Sequence, residues 1–274
     1  MARDHHRRFF VPPEAIRGSE VEFGPAQAHQ FAHVLRLGTG DQVSVLDGTG
    51  REWMATLTVV TARRATALLL VEQPPVPLRR PRISLAQVAP RGAAMDLIVA
   101  KATELGVARI RPVEAAHSVR RASERGPRWQ RILIEAAEQC GRRDLPVLED
   151  STTLEELLQG HPPDRPLLVC HGGEGVPSLL VVCEGLRAAA ELTLLVGGEG
   201  GLAPPEVARV RSAGGRLVWL GPRLLRADTA ALAALAILQA CLGDWTARAS
   251  DCEEGLLRTR CARGGTDAEH PGGG

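Results

Sequence analysis

The chain has no tyrosine, only four phenylalanines and four tryptophans, and a single lysine, Lys101. So few aromatic faces argue against a binder of single strands built on stacked bases. Recognition of a folded RNA through shape and phosphate contacts survives that test. With lysine nearly absent, arginine carries the positive charge, as a planar fork suited to phosphate and carboxylate groups. The six cysteines (Cys140, Cys170, Cys183, Cys241, Cys252 and Cys261) form no Cys-x-x-Cys pair and no regular framework. Neither a zinc site nor a disulfide scaffold is indicated, and a reducing cytoplasm is the default compartment. No His/Cys/acid group has metal-ligand spacing, and no Ser-His-Asp grouping can be argued from local motifs. The basic start (Arg3, Arg7, Arg8) runs into Phe9-Phe10-Val11 and then Pro12-Pro13, leaving no apolar region for a signal peptide. The longest apolar run, Ala230 to Leu242, is too short to cross a bilayer and suits a buried or dimer-interface helix.

What is present is a chain of 274 residues, 44% hydrophobic with a formal charge of +1, enough for two domains with proper cores. Short strand-like runs at Val21–Phe23, Gln42–Leu46, Trp53–Val60 and Ala65–Val71, separated by Gly38, Gly40, Gly48 and Gly50, predict a small β-barrel over residues 1–73. Four prolines between Gln73 and Pro81 cannot continue a sheet ladder, and 74–81 reads as a linker. The period then changes. Ile83–Val88 reads as a strand, Ala94 to Leu105 as a helix with Ile98, Ala102 and Leu105 on one face and a stop at Gly106. Arg109–Val113 follows as a strand, Arg128–Cys140 as a helix and Leu167–Cys170 as a strand. Strands alternating with helices over 82–245 predict a largely parallel sheet, and the polar, glycine-rich 246–274 reads as a disordered tail.

The informative stretch is Leu192 to Leu242. It reads strand, Gly197-Gly198-Glu199-Gly200-Gly201, helix, strand, Leu220-Gly221-Pro222-Arg223-Leu224-Leu225-Arg226, then an Ala/Leu helix. Glycines lack a Cβ, so such turns take φ > 0 and lay bare amides against a ligand. Two of them on adjacent strand ends predict a small-molecule pocket at the carboxyl edge of a parallel sheet. Gly198-x-Gly200-x-x-Ala203 also fits a dinucleotide fingerprint. A Rossmann site, however, would need an acid after the next strand, where Gly221-Pro222-Arg223 stands.

These same words, Val-Gly-Gly-Glu-Gly-Gly and Leu-Gly-Pro-Arg-Leu-Leu-Arg-Ala-Asp-Thr-Ala-Ala-Leu, closely resemble the bacterial rRNA uridine-N3 methyltransferases of the SPOUT superfamily. Lys101-Ala-Thr-Glu-Leu-Gly106, Arg128-Trp-Gln-Arg, Glu135-Ala-Ala-Glu-Gln-Cys-Gly-Arg142 and His33-Val-Leu-Arg-Leu37 extend the resemblance from about Arg7 to Trp245 in conserved order. It implies a SPOUT-type, trefoil-knotted, mostly parallel α/β domain preceded by a small PUA-like β-barrel, working as a homodimer. It also implies S-adenosylmethionine as cofactor and methylation of N3 of a uridine in 16S rRNA. The sequence departs from the family in three places. Gly198 replaces a usual proline, Ala227-Asp228 replaces Thr-Glu, and Ala203 stands where a helix-capping Ser or Thr is common.

On this reading His171, Leu195, Val196, Gly197, Gly198, Glu199, Gly200, Gly201, Leu220, Gly221, Leu224, Leu225, Arg226 and Thr229 hold the cofactor. Methyl transfer is an in-line displacement that needs alignment and no metal. Uracil N3 carries a proton, so Arg226 is the candidate to stabilise the anion spreading onto the carbonyl oxygens, with Glu199 and Asp228 the available acids. Asp228 also suits the N-cap of the following helix. Seven arginines between Arg120 and Arg143, against Glu124, Glu135 and Glu138, form a basic stripe. Arg7, Arg8, Arg36, Arg91, Lys101, Arg120, Arg121, Arg142 and Arg143 are the candidate RNA contacts. Rival expectations are a SPOUT methylase acting on a ribose 2′-OH, an rRNA-binding assembly protein without catalysis, and a dinucleotide-dependent oxidoreductase.

Overall fold

The computed structural model describes residues 7–75, 81–116, 125–243 and 245. The first sheet gathers β1 (Arg8–Phe10), β2 (Ile16–Arg17), β3 (Glu20–Phe23), β4 (Gln42–Leu46), β5 (Glu52–Val60) and β6 (Ala65–Glu72) in the order β1-β4-β5-β6-β3-β2. All neighbours are antiparallel except β1 with β4, and register shifts between Met54/Ala55 and Leu57/Val59 bend β5. The curled sheet closes over Phe9, Phe23 and Phe31, whose rings meet at centroid distances of 4.5 to 6.4 Å. Phe31 comes from a feature the pattern did not signal: α1 (Pro25–His29) runs on into π-helical turns over Gln30–Leu35.

The second sheet is entirely parallel. Its strands are β7 (Arg82–Val88), β8 (Arg109–Glu114), β9 (Val147–Leu148), β10 (Thr152–Thr153), β11 (Leu167–Cys170), β12 (Glu191–Val196) and β13 (Arg216–Val218), ordered β10-β8-β7-β12-β11-β13 with β9 also on β8. β7 and β12 lie at its centre and are buried on both faces, which is why they read as nearly continuous apolar runs rather than alternating ones. One face carries α2 (Ala94–Glu104), α3 (Gly126–Cys140), α5 (Leu179–Glu184) and α7 (Ala227–Cys241) around Ile98, Trp129, Leu133 and Leu235. The other carries α4 (Leu154–Gln159) and α6 (Pro204–Ser212) around Leu157, Val169, Leu195 and Val210. α4 escaped the periodicity reading because it is short. Its start is nonetheless a capping box, with Glu156 N donating to Thr153 Oγ1 at 3.2 Å and Thr153 N to Glu156 Oε2 at 2.9 Å.

A buried polar joint couples the two sheets. Glu52, 3% exposed, receives Arg8 at 3.2 Å and lies 2.6 Å from Arg143 Nε, whose N–H is turned out of line for a hydrogen bond. Arg8 Nη1 also donates to Gly141 O, Arg143 Nη1 to Pro74 O, and Phe10 N to Glu138 Oε1 at 3.0 Å. Arg142 turns inward to Thr103 O and Val107 O and pairs with Asp144 at 2.7 Å. Arg8, Arg142 and Arg143, read from the sequence as phosphate contacts, thus have partners within the protein: backbone carbonyls and carboxylates engage their guanidinium groups. Removing one member of a buried charge cluster strands the others. Glu52→Gln is therefore expected to destabilise the fold by about 3 kcal/mol in denaturant unfolding. An unchanged midpoint would show that the joint contributes nothing.

Candidate functional site

Because every strand of the second sheet runs the same way, the loops after β7, β8, β11, β12 and β13 all emerge at one edge. There a cavity of about 500 Å³ opens, within the range of small-molecule sites. Three loops wall it: Cys170–Gly172, Val196–Leu202 and Val218–Leu225, with Ala227 and Ala230 from the start of α7. The expectation of adjacent strands needs correction. β11 lies between β12 and β13, so the two glycine turns meet across the end of a third strand, and His171 stands between them.

Backbone builds most of the wall. Gly201 has φ +65° and Gly221 φ +119°, conformations that side-chain-bearing residues rarely adopt. A Cβ on Gly197 would lie 3.1 Å from the backbone of Gly201, so that turn folds against itself, and Gly201 N donates to Gly198 O at 3.0 Å. The loop thus closes on its own hydrogen bond with glycine, not proline, at position 198. The missing Ser/Thr cap at Ala203 is half replaced: Glu206 Oε2 accepts from Ala203 N at 2.8 Å, but alanine has no side-chain oxygen to answer. The second oxygen of that buried carboxylate takes Ala116 N at 2.9 Å, tying the end of the glycine loop to the chain after β8.

The floor is apolar, formed by Cys170, Val196, Val218 and the two alanines. Burial pushes the Cys170 thiol up to about 12, so it is a neutral packing group and no nucleophile near pH 7. Beneath the glycine loop lies Gln87 on β7, fully buried. Its Nε2 donates to Val88 O at 2.9 Å, Gly197 O at 3.2 Å and Val196 O at 3.4 Å. Its Oε1 has no donor among the described residues, and an unmet buried acceptor costs about 1–3 kcal/mol.

The structure sorts the sequence-predicted residues. His171, Val196, Gly197, Gly198, Glu199, Gly200, Gly201, Leu220, Gly221, Leu224 and Leu225 line the cavity. Leu224 is wholly exposed at the mouth, which removes it from any core role. Leu195 does not line it: strand alternation turns this side chain into the core beside α6. Arg226, Asp228 and Thr229 are also off the wall. Arg226, not Asp228, is the N-cap of α7, and Asp228 Oδ1 is engaged by Thr229 N at 2.7 Å. Arg226 is exposed, flanked by wall residues Leu225 and Ala227, and has no side-chain partner among the described residues. Neither Glu199 nor Asp228 neutralises it.

Of the remaining RNA candidates, Arg7, Arg36 and Arg91 are exposed, and Lys101 pairs with Glu104 at 2.8 Å. Arg120 and Arg121 lie outside the described residues, as does 246–274. Arg128 and Trp129 both bond Asp96, at 2.6 and 3.0 Å, so that motif clasps α2 to α3. Sequence reasoning missed Gln87, Glu206 and Trp219. Gln87 sits in an apolar stretch with no local motif, and Glu206 is preceded by Ala203 where a Ser or Thr would have marked a capping box. Trp219, half-exposed on the cavity wall, was hidden by its place in a strand pattern.

Residues 77–239 match the family model of the RNA methyltransferase domain, and residues 24–70 that of an RNA methyltransferase PUA domain. The chain belongs to the RNA methyltransferase family. A Synechocystis relative, "Ribosomal RNA small subunit methyltransferase E", is 34% identical, the match covering 86% of this chain and 78% of the relative. The Bacillus subtilis protein of the same name is 30% identical, covering 83% and 90%. The solved structure of that enzyme from Neisseria gonorrhoeae bound to S-adenosyl methionine superposes with a TM-score of 0.80 at 32% identity, covering 88% of this chain and all of that one. In this RNA methyltransferase the fold is accordingly a SPOUT-type, mostly parallel α/β domain behind a PUA-like curled sheet. Among the described residues no group of His, Cys and acids could hold a metal, and no helix is long and apolar enough to cross a membrane.

Proposed function

We propose that this protein methylates N3 of a uridine in the 16S rRNA of the small ribosomal subunit, using S-adenosylmethionine, as a cytoplasmic homodimer whose α/β domain carries the SPOUT trefoil knot. The observation that carries the reading is a backbone-walled cavity at the carboxyl edge of the sheet, with an arginine at its mouth that has no side-chain partner among the described residues. The names of the relatives and the bound S-adenosyl methionine of the Neisseria gonorrhoeae structure support it.

The cavity fits that cofactor on its own chemistry: bare peptide groups at Gly197–Gly201 and Leu220–Gly221 for polar atoms, and an apolar floor for a nucleoside face. When bound, S-adenosylmethionine supplies an electrophilic methyl group. This chain's residues do the rest. Arg226 at the mouth stabilises the negative charge that develops on the uracil carbonyl oxygens as the N3 proton passes to solvent. Glu199 is the acid on the wall, since the Asp228 carboxylate is occupied by the Thr229 amide. Exposed Arg7, Arg36, Arg91 and Arg131 offer phosphate contacts. For the homodimer, Leu180 and Val181 on α5 are 56% and 61% exposed beside α7, whose Leu232 and Ile237 are partly exposed.

The test is to incubate small subunits lacking the modification with methyl-labelled cofactor and map the labelled atom. Label on N3 of one uridine is expected. Label on a ribose oxygen would replace the reading with 2′-O methylation, and no label would leave an rRNA binder without catalysis.

A further inference from the structure

We propose that Gln87 is a positioning residue of the cofactor site, whose side-chain amide fixes the glycine loop in its binding conformation from below. The proposal deepens the methyltransferase reading and rests on it.

The buried amide can take only one orientation. Nε2 faces three carbonyl oxygens, those of Val88, Val196 and Gly197. Turned over, it would set Oε1 against all three, so the network dictates which end points where. That choice leaves Oε1 buried without a donor among the described residues. A side chain placed only to fill the core would avoid this, and leucine or methionine would occupy the same space with no orphaned acceptor. What glutamine adds is an N–H group directed at the loop carbonyls of Val196 and Gly197, while its other N–H, held by Val88 O, fixes the amide in place.

Their effect follows from peptide geometry. Val196 ends β12 and Gly197 begins the turn, so Gln87 grips the chain where regular ladder bonding stops. A trans peptide holds its C=O and N–H in opposite directions. Drawing Gly197 O down toward Gln87 turns the Gly198 N–H the other way, toward the cavity that Gly198 lines. Gln87 itself does not reach that cavity and acts through the loop. With four glycines, the loop has the freedom to lose this orientation once the grip is gone.

The experiment compares wild type, Gln87→Leu and Gln87→Glu by calorimetric titration with S-adenosylhomocysteine, alongside thermal unfolding and the RNA KM at saturating cofactor. Gln87→Leu is expected to weaken S-adenosylhomocysteine binding about tenfold or more, as loss of a buried donor does, with the RNA KM unchanged. Gln87→Glu supplies the reading that general damage cannot imitate. An un-ionised carboxyl donates one O–H to the carbonyls, whereas a carboxylate repels them, and burial raises the pKa of such a group. Affinity of Gln87→Glu, relative to wild type at the same pH, should therefore recover as pH falls from about 8 to about 6. Wild-type affinity in Gln87→Leu would overturn the proposal. So would equal weakening of both variants at every pH, or an RNA KM that moves as far as cofactor affinity. Failure of the wild type to bind S-adenosylhomocysteine would sink the methyltransferase reading itself.

Discussion

Arg226→Ala is expected to keep S-adenosylhomocysteine affinity within about twofold of wild type while turnover on small subunits falls about 10²-fold or more, the usual cost of removing one donor to a developing anion. Three features of the structure set this expectation. The arginine caps α7 with extended backbone at φ −65° and ψ 158°, so its main chain is held by the helix start whatever the side chain. Its side chain is off the cavity wall, so cofactor affinity should not depend on it. It is unpaired among the described residues, leaving its full charge for an incoming anion. Arg226→Lys separates charge from geometry: a lysine keeps the charge without the planar fork and should restore turnover only in part. Turnover unchanged in Arg226→Ala would remove this residue from the mechanism.

Gly221→Ala should act in the opposite sense, lowering cofactor affinity with little effect on the fold. At φ +119° the position is open to glycine and strained for any other residue, although no atom within 4 Å would oppose the added carbon. The strain of about 1–3 kcal/mol must be absorbed by a shift of the turn, and at about 1.4 kcal/mol per decade this weakens S-adenosylhomocysteine binding roughly fivefold to hundredfold. Pro222 follows and stiffens the same corner, so the shift cannot be dispersed along the loop. Gly126→Ala is the control: it too has open space, with no left-handed φ, and lies outside the cavity. Equal affinities for Gly221→Ala and wild type in calorimetric titration would show that the corner does not shape the site.

Much of this was legible beforehand where a residue's role is local. Gly221 and Gly201 announced turns because only their backbone can take those angles, and Gln42–Leu46 and Leu167–Cys170 were bounded correctly as strands because neighbouring glycines and prolines delimit them. Asp228 misled for the same reason: Asp-Thr before an Ala/Leu run is good capping chemistry, yet the helix begins earlier, with Ala227 buried as its first residue. The basic stripe divides in a way the sequence does not show. Arg142 and Arg143 look like Arg128 or Arg131 in one dimension, and only the approach of Glu52, Thr103 and Val107 from other segments turns them inward.

The sequence by itself determined that the chain alternates strands and helices after a β-rich first part, and that two glycine corners flank the last strands. Those properties depend on backbone freedom and on the periodicity of apolar side chains, which neighbours along the chain decide. Tertiary structure alone decided that β11 separates those corners, that Arg226 stands beside the cavity with no partner among the described residues, and that Gln87, over a hundred positions from the loop it grips, lies directly beneath it. Such partnerships arise from the parallel register of β7 with β12, and register is a property of two strands together that neither strand encodes alone.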